Sequence, residues 1–167
     1  MKKWDTNLQE VLGPAGLCNF IESECQPEIN ASFQKITGYF SVENNKEIPE
    51  PVFELAQLLY AKLDDEVQHL FRKESGLIFP GIKKVPAGSP IEQNIPESIQ
   101  TTQKVIINLL QKIRQITNNF VIQPQWSKEW KSCVNELFVL ESKIHQWIYI
   151  ELILLYPSLT PKNDVVQ

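Results

Sequence analysis

One small pattern is present twice in the chain, in HQWIYIELILLYPSL (residues 145–159) and in HLFRKESGLIFPGI (residues 69–82). In each stretch a glutamate, Glu151 or Glu74, stands five residues before an aromatic residue and six before a proline. Proline removes a backbone donor and clashes with the preceding turn, so the pattern predicts the end of a helix, with the aromatic residue packed at the end of a bundle. The repetition indicates an internally duplicated helical fold.

Apolar residues around the two stretches recur mostly at spacings of three and four, which is typical of amphipathic helices. Four segments carry such a stripe, and proline at position 27 is expected to kink or restart the first of them. The predicted segments run from about Pro14 to Phe40, from Pro51 to Leu77, from Ile99 to Phe120, and from an N-cap at Ser127 to Tyr156.

Four helices of this length, each with one apolar side, satisfy one another most simply as an antiparallel up-down-up-down four-helix bundle. The predicted fold class is therefore all-α. The predicted organisation has an N-terminal arm over 1–16, one bundle over 17–157 and a C-terminal tail over 158–167. At this length a single core needs neither a metal nor a disulfide to fold.

Three polar residues, Glu74, Gln103 and Glu151, fall on the predicted apolar faces. A carboxyl group buried in an apolar bundle is costly unless it is paired, hydrogen-bonded, metal-bound or protonated. One interpretation is that the two carboxyls share a proton and that the Gln103 amide bonds to one of them. The alternative is a small rotation of the helices that brings a carboxylate to solvent, beside Arg72 or Lys73 in the case of Glu74.

With its flanking residues, the repeated pattern resembles the hemerythrin-like (HHE cation-binding) family, and within it the di-iron proteins implicated in repair of iron–sulfur centres. The resemblance covers roughly residues 17–157. It implies a four-helix bundle in which two helices each supply a histidine and a glutamate four residues later, and the other two helices supply further histidines. Glu74 and Glu151 match the two glutamates.

The histidine positions of the family hold other residues in this chain. The resemblance places them at Leu70, Trp147 and Gln103, and near Ile29 in the first helix. We therefore expect these positions, with Glu74 and Glu151, to mark a remnant metal site closed by apolar side chains.

His69 and His145 are the two histidines of the chain. His69 lies one residue before the family position and His145 two before it, so that each is rotated away from the expected face of its helix. We expect both to be surface or boundary residues. If a metal is bound, the predicted ligands are Glu74, Glu151 and, after a register shift, His69.

Composition limits the remaining choices. The 167 residues have a formal net charge of −4 and no basic block, which argues against nucleic-acid binding. The longest apolar stretch, residues 147–156, is about half of the roughly 20 residues that span a bilayer.

The N-terminus is polar and the three cysteines lack CxxC spacing, so the predicted location is the cytoplasm. Cys18, Cys25 and Cys133 are expected to be buried apolar residues without a redox role.

Three functions remain open. The first is a non-enzymatic binding or regulatory module that has lost its di-iron centre, has no cofactor, and binds a protein partner or a small polar ligand. The second is an iron-binding member with an altered site, acting in iron handling, O₂ or NO sensing, or iron–sulfur repair. About 16 residues precede the predicted bundle, where such repair proteins commonly carry a cysteine-containing domain, so repair is the less favoured role. The third is a homodimeric structural bundle whose fourth segment forms the interface.

Overall fold

The computed structural model describes residues 6–41, 50–84 and 94–159. Within these ranges the chain is helical and contains no β-strand, so the predicted all-α class is confirmed. The α-helices are α1 Thr6–Phe20, α2 Gln26–Phe40, α3 Glu50–Lys73, α4 Phe79–Lys84, α5 Asn94–Ile116, α6 Lys128–Tyr149 and α7 Tyr156–Leu159. Three π-helical turns connect them, the first at Ile21–Cys25, the second at Glu74–Ile78 and the third at Ile150–Leu155. The result is four long helical segments that can pack as a bundle.

The prediction that proline ends the second and fourth segments is wrong. Helix continues past Pro80 to Lys84 and past Pro157 to Leu159, and Pro27 likewise lies inside a continuous helical segment. A wider π-turn precedes each of these prolines. Each turn is closed by a hydrogen bond between residues five apart, to the carbonyls of residues 21, 74 and 151. The proline then occupies the second position of the next α-helix, where a missing N–H is tolerated.

The π-turns also shift the phase of the apolar stripe. Leu77, predicted to face the core, is 71% exposed, and Ile78 is buried in its place, because the wider turn adds one residue before the same face recurs. Val52, at the start of the same predicted stripe, is also exposed. The other stripe residues of this segment, from Ala56 to Glu74, are buried as predicted.

The third segment ends earlier than predicted. Helix α5 stops at Ile116, and Asn118, Asn119 and Phe120 follow with positive φ angles of 50°, 60° and 59°. Phe120 therefore belongs to the turn between α5 and α6, where its ring lies under the Arg114 guanidinium and against the Phe138 ring. These contacts fix Phe120 in a conformation that bulky residues rarely adopt.

The first segment begins earlier than predicted, at Thr6, with a break at Gly13 before Pro14. Gly13 has φ 65°, a conformation that glycine adopts without steric cost. The predicted arm and tail extend into residues 1–5 and 160–167, which lie outside the described residues. Most of the two predicted loops, around 42–49 and 85–93, also lies outside them.

The core is one cluster of apolar side chains drawn from all four segments. Helix α3 packs against α5, α2 packs against α6 and α3, and α1 packs against α4 and the third π-turn. An ion pair with two hydrogen bonds joins Arg114 of α5 to Glu141 of α6. None of the helices over residues 6–41, 50–84 and 94–159 is long and apolar enough to cross a membrane.

The N-cap of α6 gives a direct test of this fold. Ser127 Oγ accepts a hydrogen bond from the Trp130 backbone N–H at 3.1 Å, as the sequence predicted for a cap at this position. Ser127→Ala is expected to lower the free energy of unfolding by about 1 kcal/mol, because one terminal N–H loses its acceptor. Ser127→Asp keeps an acceptor and should stay near wild type in urea unfolding. Equal losses in both variants would contradict the capping role.

Candidate functional site

Two carboxyl groups meet in the interior of the protein. Glu74 is the first residue of the second π-turn and Glu151 is the second residue of the third, and both side chains are fully buried. Gln103 on α5 is buried beside them. The inward orientation predicted for these three residues is therefore confirmed, and the alternative in which a glutamate reaches solvent is excluded.

Neutral donors surround the carboxyl pair. Glu151 accepts at both oxygens, from Gln103 Nε2 to Oε2 at 2.6 Å and from Trp147 Nε1 to Oε1 at 2.7 Å. Glu74 Oε2 accepts from the Tyr156 hydroxyl at 2.9 Å. Burial raises the pKa of Tyr156, so that its phenol keeps the proton it donates. The ion pairs among the described residues all lie elsewhere, so no Lys or Arg of those ranges neutralises either glutamate.

One oxygen of the pair, Glu74 Oε1, is buried and has no N–H or hydroxyl donor among the described residues. The two carboxyls interact directly with each other. Such a contact is a hydrogen bond only if one of the carboxyls carries a proton. Burial raises the pKa of both groups, so we assign one proton to the pair as a unit.

Burial raises the pKa of both glutamates. In Glu151 the shift is upward and large, because burial is reinforced by the charge of Glu74 and by the hydrogen bond between the two carboxyls. In Glu74 burial raises the pKa to about 7, against the lowering effect of the hydrogen bonds from Glu151 and Tyr156. The pair therefore shares at least one proton at neutral pH.

The predicted remnant positions divide into two groups. Trp147 and Gln103 contact the pair by hydrogen bonds, and Trp147 packs its ring on Phe71 with centroids 4.7 Å apart. Leu70 and Ile29 are fully buried in the apolar core. They fill space at positions where the resemblance places imidazoles.

Both histidines are exposed at the surface, His69 on α3 and His145 on α6. Neither joins the glutamates, and the register shift that would bring His69 inward does not occur. No group of three or more His, Cys, Asp or Glu side chains within residues 6–41, 50–84 and 94–159 is arranged to hold a metal ion.

This donor set does not fit a di-iron centre. Both oxygens of Glu151 already accept N–H donors, and the indole of Trp147 cannot act as a ligand in place of imidazole because its nitrogen only donates. Iron would need imidazole and free carboxylate oxygens at the same point.

The three cysteines are free and buried, as the sequence predicted. Burial raises the pKa of each thiol to about 12. The protonated thiol is a poor nucleophile, so the structure supports their interpretation as small apolar residues.

Sequence reasoning missed the roles of two donors, the hydroxyl of Tyr156 and the indole N–H of Trp147. From the sequence, Tyr156 is expected to pack at the end of the bundle and Trp147 is expected to fill space in the core. A signal was present in the sequence, because the stretch 69–82 has Phe79 at the position where the stretch 145–159 has Tyr156. Only the tyrosine can reach across to the other repeat's glutamate with a hydrogen bond.

Comparison of the chain with protein-family models and with curated protein sequences finds no match.

Proposed function

We propose that the chain is a hemerythrin-like up-down bundle in which a proton-sharing glutamate pair has replaced the di-iron centre, and that it acts as a non-enzymatic binding or regulatory module. One observation carries the proposal: the glutamate that the resemblance makes an iron ligand, Glu151, has both oxygens occupied by donors from Gln103 and Trp147. These donors come from two of the positions where the resemblance places histidines. In this proposal, side chains from three segments still meet at one point, as metal ligands would, but they are joined there by hydrogen bonds.

The network around the pair is suited to holding three of the four segments in one arrangement. Glu74 lies on the second segment, Gln103 on the third, and Glu151 with Trp147 on the fourth. Buried polar networks that satisfy one another favour one packing over its competitors, because any other register leaves a carboxyl unpaired. The buried network therefore stabilises one arrangement of the helices, and we expect partners to bind at the surface of the module.

The competing function, an altered iron site, has one observation in its favour. Glu74 Oε1 and Gln103 Oε1 are two buried acceptors without an N–H or hydroxyl donor among the described residues. A bound cation could take both oxygens as ligands. A proton shared by the two glutamates removes the repulsion between them without a metal, which is why we favour the proton.

Iron loading tests the proposal. Protein purified from iron-replete cells and then incubated anaerobically with Fe²⁺ is expected to hold far less than one iron per chain by elemental analysis. Its unfolding temperature should not change with Fe²⁺ or a chelator, because a metal that binds only the folded state would raise it.

The double variant Leu70→His/Trp147→His provides a positive control, since it restores a histidine four residues before each glutamate and should gain iron. Near-stoichiometric iron in the wild type, lost in Glu74→Gln, would overturn the proposal in favour of an altered iron site. That readout does not depend on whether the double variant folds.

A further inference from the structure

The outward side of the fourth segment is free of charged side chains along most of its length. It carries neither Lys, Arg, Asp nor Glu over about 27 Å, from position 135 to position 153 at 1.5 Å per residue. We call this the neutral face. Its exposed or partly exposed members are Asn135, Phe138, Val139, Ser142, His145, Gln146, Tyr149, Leu152 and Ile153.

The charged residues of the same stretch are all turned away from the neutral face. Glu136 accepts from Ser32 of α2 at 3.0 Å, and Lys143 donates to the same serine at 3.0 Å and to the Glu28 carbonyl at 3.2 Å. Glu141 is bonded to Arg114, and Glu151 lies in the carboxyl pair. Exposed sides of α3 and α5, by contrast, carry charged residues such as Lys62, Asp65, Arg72, Lys104 and Lys112.

Large apolar groups are exposed on the neutral face. Phe138, Tyr149 and Ile153 are 46%, 47% and 53% exposed, which is a costly arrangement for a solvated helix. Phe138, Ser142, His145 and Tyr149 follow one another at alternating spacings of four and three residues. This is the spacing with which one helix contacts another along a seam.

We propose that the neutral face is the interface of a homodimer, with a second copy of this chain as its occupant. The first argument is charge. The chain has a net charge of −4, so contact between two copies through a charged face brings like charges together, whereas two neutral faces meet without repulsion. A different partner gains its specificity largely from charge complementarity, which this face cannot offer.

The second argument is self-complementarity. In a two-fold antiparallel pairing centred between Ser142 and His145, Phe138 of one copy lies opposite Tyr149 of the other, and Ser142 lies opposite His145. Each large side chain therefore meets another large one, and the small serine leaves room for the helices to approach. Such a pairing is isologous, as closed dimers require.

The size of the face sets the expected strength. The neutral face has nine exposed or partly exposed members, whereas a standard interface has about 20 to 30 residues a side. We therefore expect a reversible dimer with a dissociation constant in the micromolar range.

Sedimentation velocity over about 1 to 500 µM protein tests the proposal. The wild type is expected to pass from monomer to dimer across this range. Ser142→Glu places two like charges at the centre of the interface without removing an apolar contact, and should weaken dimerisation at least tenfold. The matched control is Leu58→Glu, at an exposed leucine of α3 between Glu54 and Lys62, which should dimerise like the wild type.

Cross-linking locates the interface independently. Ser142→Cys treated with a short bis-maleimide should give a covalent dimer, whereas Leu58→Cys should not, and the three buried native thiols should not react. A wild type that stays monomeric throughout the concentration range would overturn the proposal. So would dimerisation unaffected by Ser142→Glu, or weakened equally by Leu58→Glu. None of these readouts depends on whether iron is bound.

Discussion

Trp147→Ala is expected to lower the free energy of unfolding by about 3–5 kcal/mol, the range for removing a large aromatic side chain from a core. Trp147 is fully buried, packs on Phe71 and donates to Glu151, so its loss creates a cavity and leaves an acceptor unpaired at the same time. Denaturant unfolding monitored by circular dichroism at low protein concentration measures the effect.

Trp147→Phe separates the two contributions. It keeps an aromatic ring at the site and removes the N–H with part of the indole, so the expected loss is about 1–3 kcal/mol, mainly the cost of a buried group without its hydrogen bond. Leu77→Ala, at an exposed position, is the control and should stay within about 0.5 kcal/mol of wild type. If Trp147→Phe matched this control, the indole N–H would have no role in the site.

The second large effect concerns pH. Burial raises the pKa of Glu74 to about 7 and that of Glu151 well above its ordinary value, so the folded protein binds more protons than the unfolded chain above about pH 4.5. The stability contributed by these protons is complete below pH 4.5 and is lost as the pH rises through 7. Between about pH 5 and 8 the free energy of unfolding should therefore fall, by up to about 1.4 kcal/mol per pH unit for each proton.

Urea unfolding at fixed pH values from 5 to 8 measures this slope. Glu151→Gln cannot titrate yet can still donate to Glu74, so its slope should be clearly shallower than that of the wild type. Glu54→Gln removes an exposed carboxylate of α3 that is not among the groups acting on either buried glutamate, and should leave the wild-type slope unchanged. A free energy of unfolding that stays flat or rises over this interval would show that the folded protein holds no extra proton at the two glutamates.

The sequence was sufficient to predict the helical class and most of the core. Stripe residues of the first and fourth segments, such as Leu17, Ile36, Leu137 and Ile144, are buried as predicted, because a period of 3.6 residues is readable without tertiary information. Burial of Glu74, Gln103 and Glu151 was predictable for the same reason.

Two features escaped prediction, the local π-turns and the contacts between segments. The π-turns arise because proline at the next helix start is accommodated by a wider turn, and their phase shift moved Leu77 outward and Ile78 inward. The protonation of the glutamate pair depends on which donors face it from α5 and α6. Spacing along one helix indicates which side faces inward, and it carries no information on which atoms meet there.

The three π-turns have an evolutionary consequence. Each holds one residue more than an α-helical turn while the helix on either side continues, so each is the structural equivalent of a single-residue insertion. At the second, Gly76 has no neighbouring atom within 4 Å of the place a side chain would begin. Related chains can therefore gain or lose one residue at these points, and their sequences can be aligned correctly only if short gaps are allowed inside helices.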